Sequence, residues 1–288
     1  MFAGFTQRLN FGMGGGTVSV PSAFPTRPIG QLGNFNTYAI NFISATGITA
    51  SDQQSAINQL SYDLVNTGLM DKMIAIYPFV GGNATAHSFN LKDPRDTNAA
   101  FRLTFVGGAT HSSTGYFPSI SNGYANTFLN PVFNLPNPYL HLSTYIRTII
   151  TPTNTRIDVA QSNNTNTFCQ INGGANFYAG NGTIGQGGVS FTTTTTSQGH
   201  WIGVKSSDSV RFGFRNGVLN STPTSTNDTT AYLSANFYIG ARNNSGTAAF
   251  FAGKETAFVT IGIALTQAEC ATLYTIIQNF QTTLGRQV

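Results

Sequence analysis

Residues that could carry out catalysis are few in this chain. It has ten acidic residues, four histidines and two cysteines among 288 residues. Most glycosidases place a pair of carboxylates around the scissile bond, yet no strand-like segment has carboxylates at alternate positions. Glu255 stands alone in GKETAF, Glu269 lies at a predicted helix cap, and Asp93 and Asp96 flank a Pro-Arg dipeptide in a predicted polar turn. The sequence therefore predicts no catalytic residue, and we expect the chain not to be an enzyme.

Metal and cofactor sites are not indicated either. His87, His111, His141 and His200 are far apart in sequence, and none has another ligand at i+2 or i+4. The loops are rich in Asn and Gly but poor in the Asp that calcium sites use, and the paired glycines lack the lysine of a phosphate-binding loop. We expect no metal and no cofactor.

Composition narrows the class of protein. Charged residues make up 8% of the chain, against roughly 25% in average soluble domains, so amides and hydroxyls must provide the solubility. The net charge of +4 comes from scattered basic residues, which argues against a nucleic-acid groove. No apolar run is long enough to span a membrane, and the first residues carry no signal-peptide core. Cys169 and Cys270 allow one long disulfide or two buried thiols, and the second alternative is favoured.

One segment is typical of ligand binding. Residues 111–128 read as a long loop in which Tyr116, Phe117 and Tyr124 stand among Ser, Asn and Gly, with Asn122 as an amide donor. Aromatic platforms beside amides suit a glycan or a protein partner. The alternative is a compact loop packed by its own aromatic side chains.

The first 48 residues are punctuated by Gly and Pro and predict no long regular element. They nevertheless contain many aromatic residues, among them Phe2, Phe5, Phe11 and Phe24. Residues 1–48 are therefore predicted to form an extended attachment arm that docks on another chain. An arm wrapped on the chain's own core is the alternative.

The remaining chain is predicted to be mainly β. A linking helix is expected within residues 49–72, because Ser51 and Gln54 fit a capping box. Its apolar face is expected to comprise Ile57, Leu60, Leu64 and Val65. From residue 73 the hydrophobic residues recur with a period of two. This pattern indicates nine to twelve short strands and an antiparallel β-sandwich. These segments are 73–80, 100–106, 140–150, 155–161, 187–196, 200–206, 210–216, 236–242 and 256–265. A second capping box, Thr266 with Glu269, begins a C-terminal helix over 266–283 that should cover an edge or end of the sandwich.

Residues 200–288 resemble the end of a concanavalin A-like, laminin-G-like jelly roll. The resemblance rests on HWIGVKSSDSVRFGFRNGVLN with its Asn216-Gly217 hairpin, on NFYIGARNN, and on FFAGKETAFVTIGIALTQAECATLY. Two longer segments, IYPFVGGNATAHSFNLKDPRDTNAAFRLTF and FQTTLGRQV, are similar to virion structural proteins of crAss-like and related Bacteroidetes phages. The resemblance covers residues 73–288 and implies a jelly-roll domain over that range in a phage particle.

Two functions are therefore expected. The first is a non-enzymatic virion protein, such as a head or tail fibre or a capsid or tail decoration, made in the host cytoplasm and attached to other virion proteins through the arm. It would act as a homo-oligomer, with a trimer preferred over a dimer. The second is a carbohydrate-binding adhesin module that recognises a host-surface glycan.

Overall fold

The structure, a computed structural model, describes residues 35–153, 155–162, 167–172, 176–181, 188–191, 195–220 and 232–288. The helices are α1 (Thr37–Thr46), α2 (Ser51–Asn66), α3 (Leu69–Lys72), α4 (Ala84–Ser88), α5 (Pro131–Asn134) and α6 (Gln267–Thr283), with a 3-10 turn at Asn98–Ala100. The strands of the first half are β1 (Met73–Tyr77), β2 (Thr104–Val106), β3 (Ala109–Ser112), β4 (Gly115–Pro118), β5 (Tyr124–Asn126), β6 (Leu140–Ile146), β7 (Val159–Ser162) and β8 (Thr167–Asn172). Those of the second half are β9 (Asn176–Asn181), β10 (Gly188–Ser190), β11 (Gly199–Lys205), β12 (Arg211–Arg215), β13 (Val218–Leu219), β14 (Tyr238–Ile239), β15 (Arg242–Asn244), β16 (Thr247–Ala249) and β17 (Thr256–Ile263).

The described strands form two sheets. The first has eight strands in the order β13-β12-β11-β6-β17-β4-β3, with β1 also paired to β17. The second has nine strands in the order β10-β9-β8-β7-β14-β5-β2, extended by β15 and β16. The ladders described are antiparallel except for β15, which lies parallel to β7. The predicted mainly β, antiparallel sandwich is confirmed.

The unit from Phe35 to Val288 has three layers in its described residues, because helices cover the outer face of the first sheet. Alternate residues of each strand point to opposite faces. In β11, Trp201 points into the core between the sheets, whereas Ile202 and Val204 point to the helical side. There they pack with α1, α2 and α6 in a second apolar cluster. The C-terminal helix was predicted to cover an edge or end, and this is wrong, since its apolar stripe packs on a sheet face.

The predicted extended arm over residues 1–48 is incorrect in its last part. Residues 37–46 form α1, whose first turn is capped by the Asn36 side chain accepting from the Tyr38 amide. Ala39 and Phe42 on this helix are completely buried. Gly47 ends the helix in the left-handed conformation, with φ of 67°. The Gly and Pro residues that argue against regular structure end at Gly33, so residues 37–46 are free of them. The prediction extended the arm to residue 48 and therefore missed this ten-residue helix. Phe2, Phe5, Phe11 and Phe24 lie outside the described residues.

The structure also corrects the start of α2. Ala50 occupies the cap position and no side chain caps the helix, while Gln54 donates to the carbonyl oxygen of Ile48 at 2.8 Å. The predicted capping box at Ser51 is therefore absent. Within residues 35–72, two helices and the short α3 are present rather than one helix. The second capping box is confirmed, since Thr266 and Glu269 each accept a hydrogen bond from the other's backbone amide.

Several short strands escaped the sequence pattern, notably β3, β4, β5, β8, β9, β13 and β16. Each has six residues or fewer, which is too short for a clear alternation of apolar and polar residues. The Thr tract predicted as a strand is not one at Thr195 and Thr196, and its earlier residues 192–194 lie outside the described ranges. Within those ranges, no helix is long and apolar enough to cross a bilayer.

Arg286 anchors the last residues of the chain to the rest of the fold. The buried guanidinium of Arg286 donates to the carbonyl oxygens of Phe79 at 2.8 Å and Pro78 at 2.6 Å, and to the Gln281 side chain at 2.6 Å. Burial lowers the pKa of Arg286 to about 9. The described residues from Phe35 to Val288 belong to one compact unit.

Candidate functional site

The predicted ligand-binding residues are split between the core and the surface. Tyr116 is fully buried in the core between the sheets and stacks on Phe79 with ring centroids 5.5 Å apart. It cannot contact a ligand, so its assignment as a binding residue is wrong. Phe117 is 40% exposed on β4, Tyr124 is partly exposed on β5, and Asn122 is exposed but accepts from the Gly108 amide at 3.0 Å. The predicted long loop over 111–128 is wrong, since this segment holds the end of β3, the strands β4 and β5, and a tight crossover between those two strands.

That crossover carries the chain from the first sheet to the second. Residues 119–123 form a turn in which the Gly123 amide donates to the Ser119 carbonyl at 2.9 Å. The Ser119 amide donates to Gly108 at 2.8 Å, which fixes the turn against the preceding hairpin. Ile120, 51% exposed, projects from this turn. The result is a rigid corner of the sandwich with an apolar residue at its tip.

Two other segments, one around Gly240 and one at residues 252–253, pack against the crossover turn. Gly240, between β14 and β15, has φ of 85°, and a Cβ there would lie 2.8 Å from Pro118. The Ala252 amide donates to the Gly240 carbonyl at 2.7 Å, and a Cβ on Gly253 would lie 2.8 Å from Ile120. Only glycine allows these backbones to approach so closely. The loop before β17 therefore packs on the same turn.

The outer face of the second sheet carries aromatic rings beside this corner. Ala125 and Ile239 point into the core, so Tyr124 and Tyr238 point outward. The two tyrosine rings are stacked, with centroids 4.4 Å apart and planes 24° apart. Burial, with the neighbouring Tyr124 hydroxyl, raises the pKa of Tyr238.

Arg242 and Phe250 lie beside the two tyrosines. Arg242 and Tyr238 are both ladder partners of Ala160, so the three residues share one face of the sheet. The Arg242 guanidinium lies 4.0 Å from the centroid of the Phe250 ring, which is a cation-π contact. Phe250 adopts φ of 57°, a conformation that is rare for a bulky residue and costs backbone strain. We call the group formed by Ile120, Tyr124, Tyr238, Arg242 and Phe250 the aromatic corner. Tyr238 and Arg242 are buried, at 7% and 2% exposed, and support the surface from below, whereas Ile120, Tyr124 and Phe250 are accessible to solvent.

Amide side chains border the aromatic corner. The Asn236 amide donates to the Asn126 side chain at 3.2 Å, and Asn126 is the ladder partner of Tyr238. Both asparagines are partly exposed and keep acceptor and donor capacity toward solvent. Accessible ring faces can stack on the apolar side of a sugar, and neighbouring amides can hydrogen-bond its hydroxyls. Sequence reasoning missed Tyr238, Arg242 and Phe250, although alternation in NFYIGAR places Tyr238 on one face.

Described carboxylates near the sandwich ends serve structural contacts. Glu255 receives hydrogen bonds from Arg147 at 2.7 Å and from the Thr114 hydroxyl. Asp158 forms a buried ion pair with Lys254 at 2.6 Å. Glu269 belongs to the cap of α6. Each of these three carboxylates therefore has a partner that gives it a role in stabilising the fold.

A histidine pair is a second cluster that the sequence did not predict. The Nδ1 atoms of His87 and His111 are 3.0 Å apart. Burial, followed by the charges of His111 and Arg286, lowers the pKa of His87 to about 3, and burial also lowers the pKa of His111. Zinc requires at least three protein ligands, and the described residues hold no group of three candidate ligands.

No protein-family model matches the chain, and no curated protein matches it. Solved structures do. The binding domain of botulinum neurotoxin DC in complex with rat synaptotagmin II has 11% identity and a TM-score of 0.52, covering 73% of this chain and 52% of that chain. A botulinum neurotoxin type C structure has 10% identity and a TM-score of 0.51, covering 74% and 53%. Domain 4 of a Geobacillus stearothermophilus arabinanase, in complex with arabinotriose, has 15% identity and a TM-score of 0.46, covering 70% and 98%.

The shared feature is the fold. The similarity to the two neurotoxin structures confirms a β-sandwich of the jelly-roll kind. The chain spans about half the length of these two chains. At 10% and 11% sequence identity, a shared fold does not show a shared function.

Proposed function

We propose that this chain is a non-enzymatic structural protein of a bacteriophage virion, and that its sandwich binds saccharide through the aromatic corner. The observation that carries the binding role is the pair of accessible rings, Tyr124 stacked on the buried Tyr238 and Phe250 over Arg242, beside the partly exposed Asn126 and Asn236. Saccharide sites combine ring faces with amide donors, and this surface offers both.

Two facts support a saccharide as the ligand. The aromatic corner is mostly uncharged, which suits a hydroxyl-rich ligand better than a nucleic acid. In addition, the type C neurotoxin, whose sandwich resembles this one, depends for cell entry on interaction with two ganglioside molecules. A host-surface glycan is the corresponding ligand that we propose here.

The virion setting rests on the sequence. The segments similar to Bacteroidetes phage proteins span both sheets, and the amide- and hydroxyl-rich, weakly charged composition suits a particle surface. Residues 1–34 would attach the protein to other virion proteins, and a trimer is the preferred oligomer. Quantitative mass spectrometry of purified particles tests this setting: a copy number that is a multiple of three supports it, and absence from the particles contradicts it.

A glycan array tests the binding role. The wild-type chain should bind a restricted set of glycans, and Tyr124→Ala should weaken that binding about fivefold or more, since it removes a stacking ring. Tyr62→Ala is the matched control, because Tyr62 is an accessible tyrosine, 42% exposed, on α2 at the opposite side of the first sheet. Equal loss in both variants, or no glycan bound by the wild type, would contradict the proposal.

The same site fits an adhesin module on a bacterial surface. The aromatic corner serves both functions equally, so the particle measurement, rather than the array, distinguishes the two.

A further inference from the structure

A surface cleft of about 650 Å³ lies between α1 and the segment 92–95, far along the chain from the aromatic corner. Its walls are a polar stripe of α1, the Tyr38 ring, and the residues Lys92 to Arg95. The volume falls within the range of small-molecule sites, roughly 300 to 1,000 Å³. The sequence pattern gave no indication of this cleft, because α1 itself was not predicted.

Charge in the cleft is unbalanced. Asp93 and Arg95 neutralise each other through two hydrogen bonds, of which the one from Arg95 Nε to Asp93 Oδ1 is 2.8 Å long. The Lys92 ammonium lies 5.2 Å from the Tyr38 ring centroid and donates to the Met70 carbonyl at 2.9 Å. Among the described residues Lys92 has no carboxylate partner within ion-pair distance. The only acidic residue of the chain outside them is Asp228. One positive charge is therefore left over.

Hydrogen-bonding groups line the opposite wall. Thr37, Asn41 and Ser44 follow one another at i, i+4 and i+7, so they share one face of α1, and all three are exposed and line the cleft. They offer one amide and two hydroxyls, each able to donate and to accept. A ligand that satisfies both walls has several hydroxyls and one negative charge.

We propose that this cleft binds a carboxylate-bearing pyranose, the uronic acid unit of an acidic polysaccharide. Its carboxylate accepts from the Lys92 ammonium, and its ring hydroxyls bond to Asn41, Ser44 and Thr37. The site is independent of the proposed function, because it shares no residue with the aromatic corner.

NMR titration of the full chain tests the proposal with D-glucuronate, D-glucose and acetate as probes. Glucuronate should shift backbone resonances of α1 and residues 92–95. It should bind about tenfold more tightly than glucose, the effect of one charge-assisted hydrogen bond. Lys92→Gln should abolish that preference, and Asn41→Ala should weaken glucuronate binding without altering the melting temperature, since its side chain is exposed.

Lys72→Gln removes the same charge from a residue that pairs with Glu269 instead of lining the cleft, and it should leave the titration unchanged. Tyr124→Ala should also leave it unchanged, which separates this site from the aromatic corner. Equal binding of glucuronate and glucose, unchanged binding by Lys92→Gln and Asn41→Ala, or shifts outside the cleft would overturn the proposal. Acetate binding as tight as glucuronate would overturn the assignment to a sugar.

Discussion

Gly240 is the residue that allows the close backbone packing of the aromatic corner. Its φ of 85° strains any other residue, and a Cβ would lie 2.8 Å from Pro118. Gly240→Ala should therefore lower the free energy of unfolding by about 2–4 kcal/mol, the sum of a left-handed backbone and local overpacking. Chemical denaturation measures the change.

Gly246→Ala provides the matched control for that substitution. Gly246 also has positive φ, at 96°, but no atom lies within 4 Å of the place that a Cβ would occupy. It should lose only the backbone contribution, about 1–2 kcal/mol. Equal losses at the two positions would mean that Pro118 does not restrict the corner.

Glu255 is the carboxylate that a glycosidase mechanism would most readily use. Its contacts with Arg147 and Thr114 occupy both carboxylate oxygens. We therefore expect no release of reducing ends from capsular polysaccharide or common β-glucans. Glu255→Gln should lower the free energy of unfolding by about 1–2 kcal/mol, since it removes a charge-assisted hydrogen bond. Hydrolysis that this substitution abolishes would identify an enzyme.

At the scale of elements, the N-terminus of α6 depends on its capping box. Thr266→Ala should destabilise the protein by about 1 kcal/mol, because the Glu269 amide loses its acceptor. Ser51→Ala at the start of α2 should change the free energy of unfolding by less than about 0.5 kcal/mol, since no side chain caps that helix. Thermal unfolding of both variants checks the pair. A larger effect at Ser51 would contradict the assigned helix start.

The two predicted capping boxes show what sequence can and cannot determine. Thr266 and Glu269 have the right spacing and form the motif, whereas Ser51 and Gln54 have the same spacing and do not. In α2 the Gln54 side chain bonds to Ile48 instead, a tertiary alternative that spacing cannot reveal. Strong periodicity similarly located β6, β11 and β17, which form the middle of the first sheet.

The aromatic corner was only partly predictable for a related reason. Tyr124 stood out because of its polar neighbours, yet Tyr116 in the same segment is a core residue. Which tyrosine faces solvent depends on the register of β4 and β5 in two different sheets. Tyr238 and Phe250 join the corner through long-range pairing, which local patterns do not encode.

For the whole molecule, three buried histidines set the response to acid. Burial lowers the pKa of His87 and of His200 from 6.5 to about 3, and that of His141 to about 4. Between these values the folded state binds fewer protons than the unfolded state, so unfolding takes up protons. The contribution of these histidines to the free energy of unfolding should be constant above about pH 7 and should fall as the pH drops through 6.5 toward 3.

Each histidine contributes up to about 1.4 kcal/mol per pH unit in that range. His200 stacks between Tyr145 and Tyr274, and neither of its ring nitrogens has a hydrogen-bond partner among the described residues. His200→Leu should therefore make the pH dependence shallower while preserving packing. Denaturant unfolding at pH 7, 5.5 and 4.5 measures the slope. An unchanged slope would contradict a neutral, buried imidazole.

A crystal structure of the full chain with its best array glycan tests the saccharide-binding role most directly. We expect an intact glycan over the aromatic corner, with a sugar ring stacked on Tyr124 or Phe250 and hydroxyls bonded to Asn126 or Asn236. Tyr124→Ala crystals grown with the same glycan should lack it, whereas Tyr62→Ala crystals should retain it. A glycan bound elsewhere on the sandwich, or one cleaved beside Glu255, would contradict a binding protein that acts through this surface.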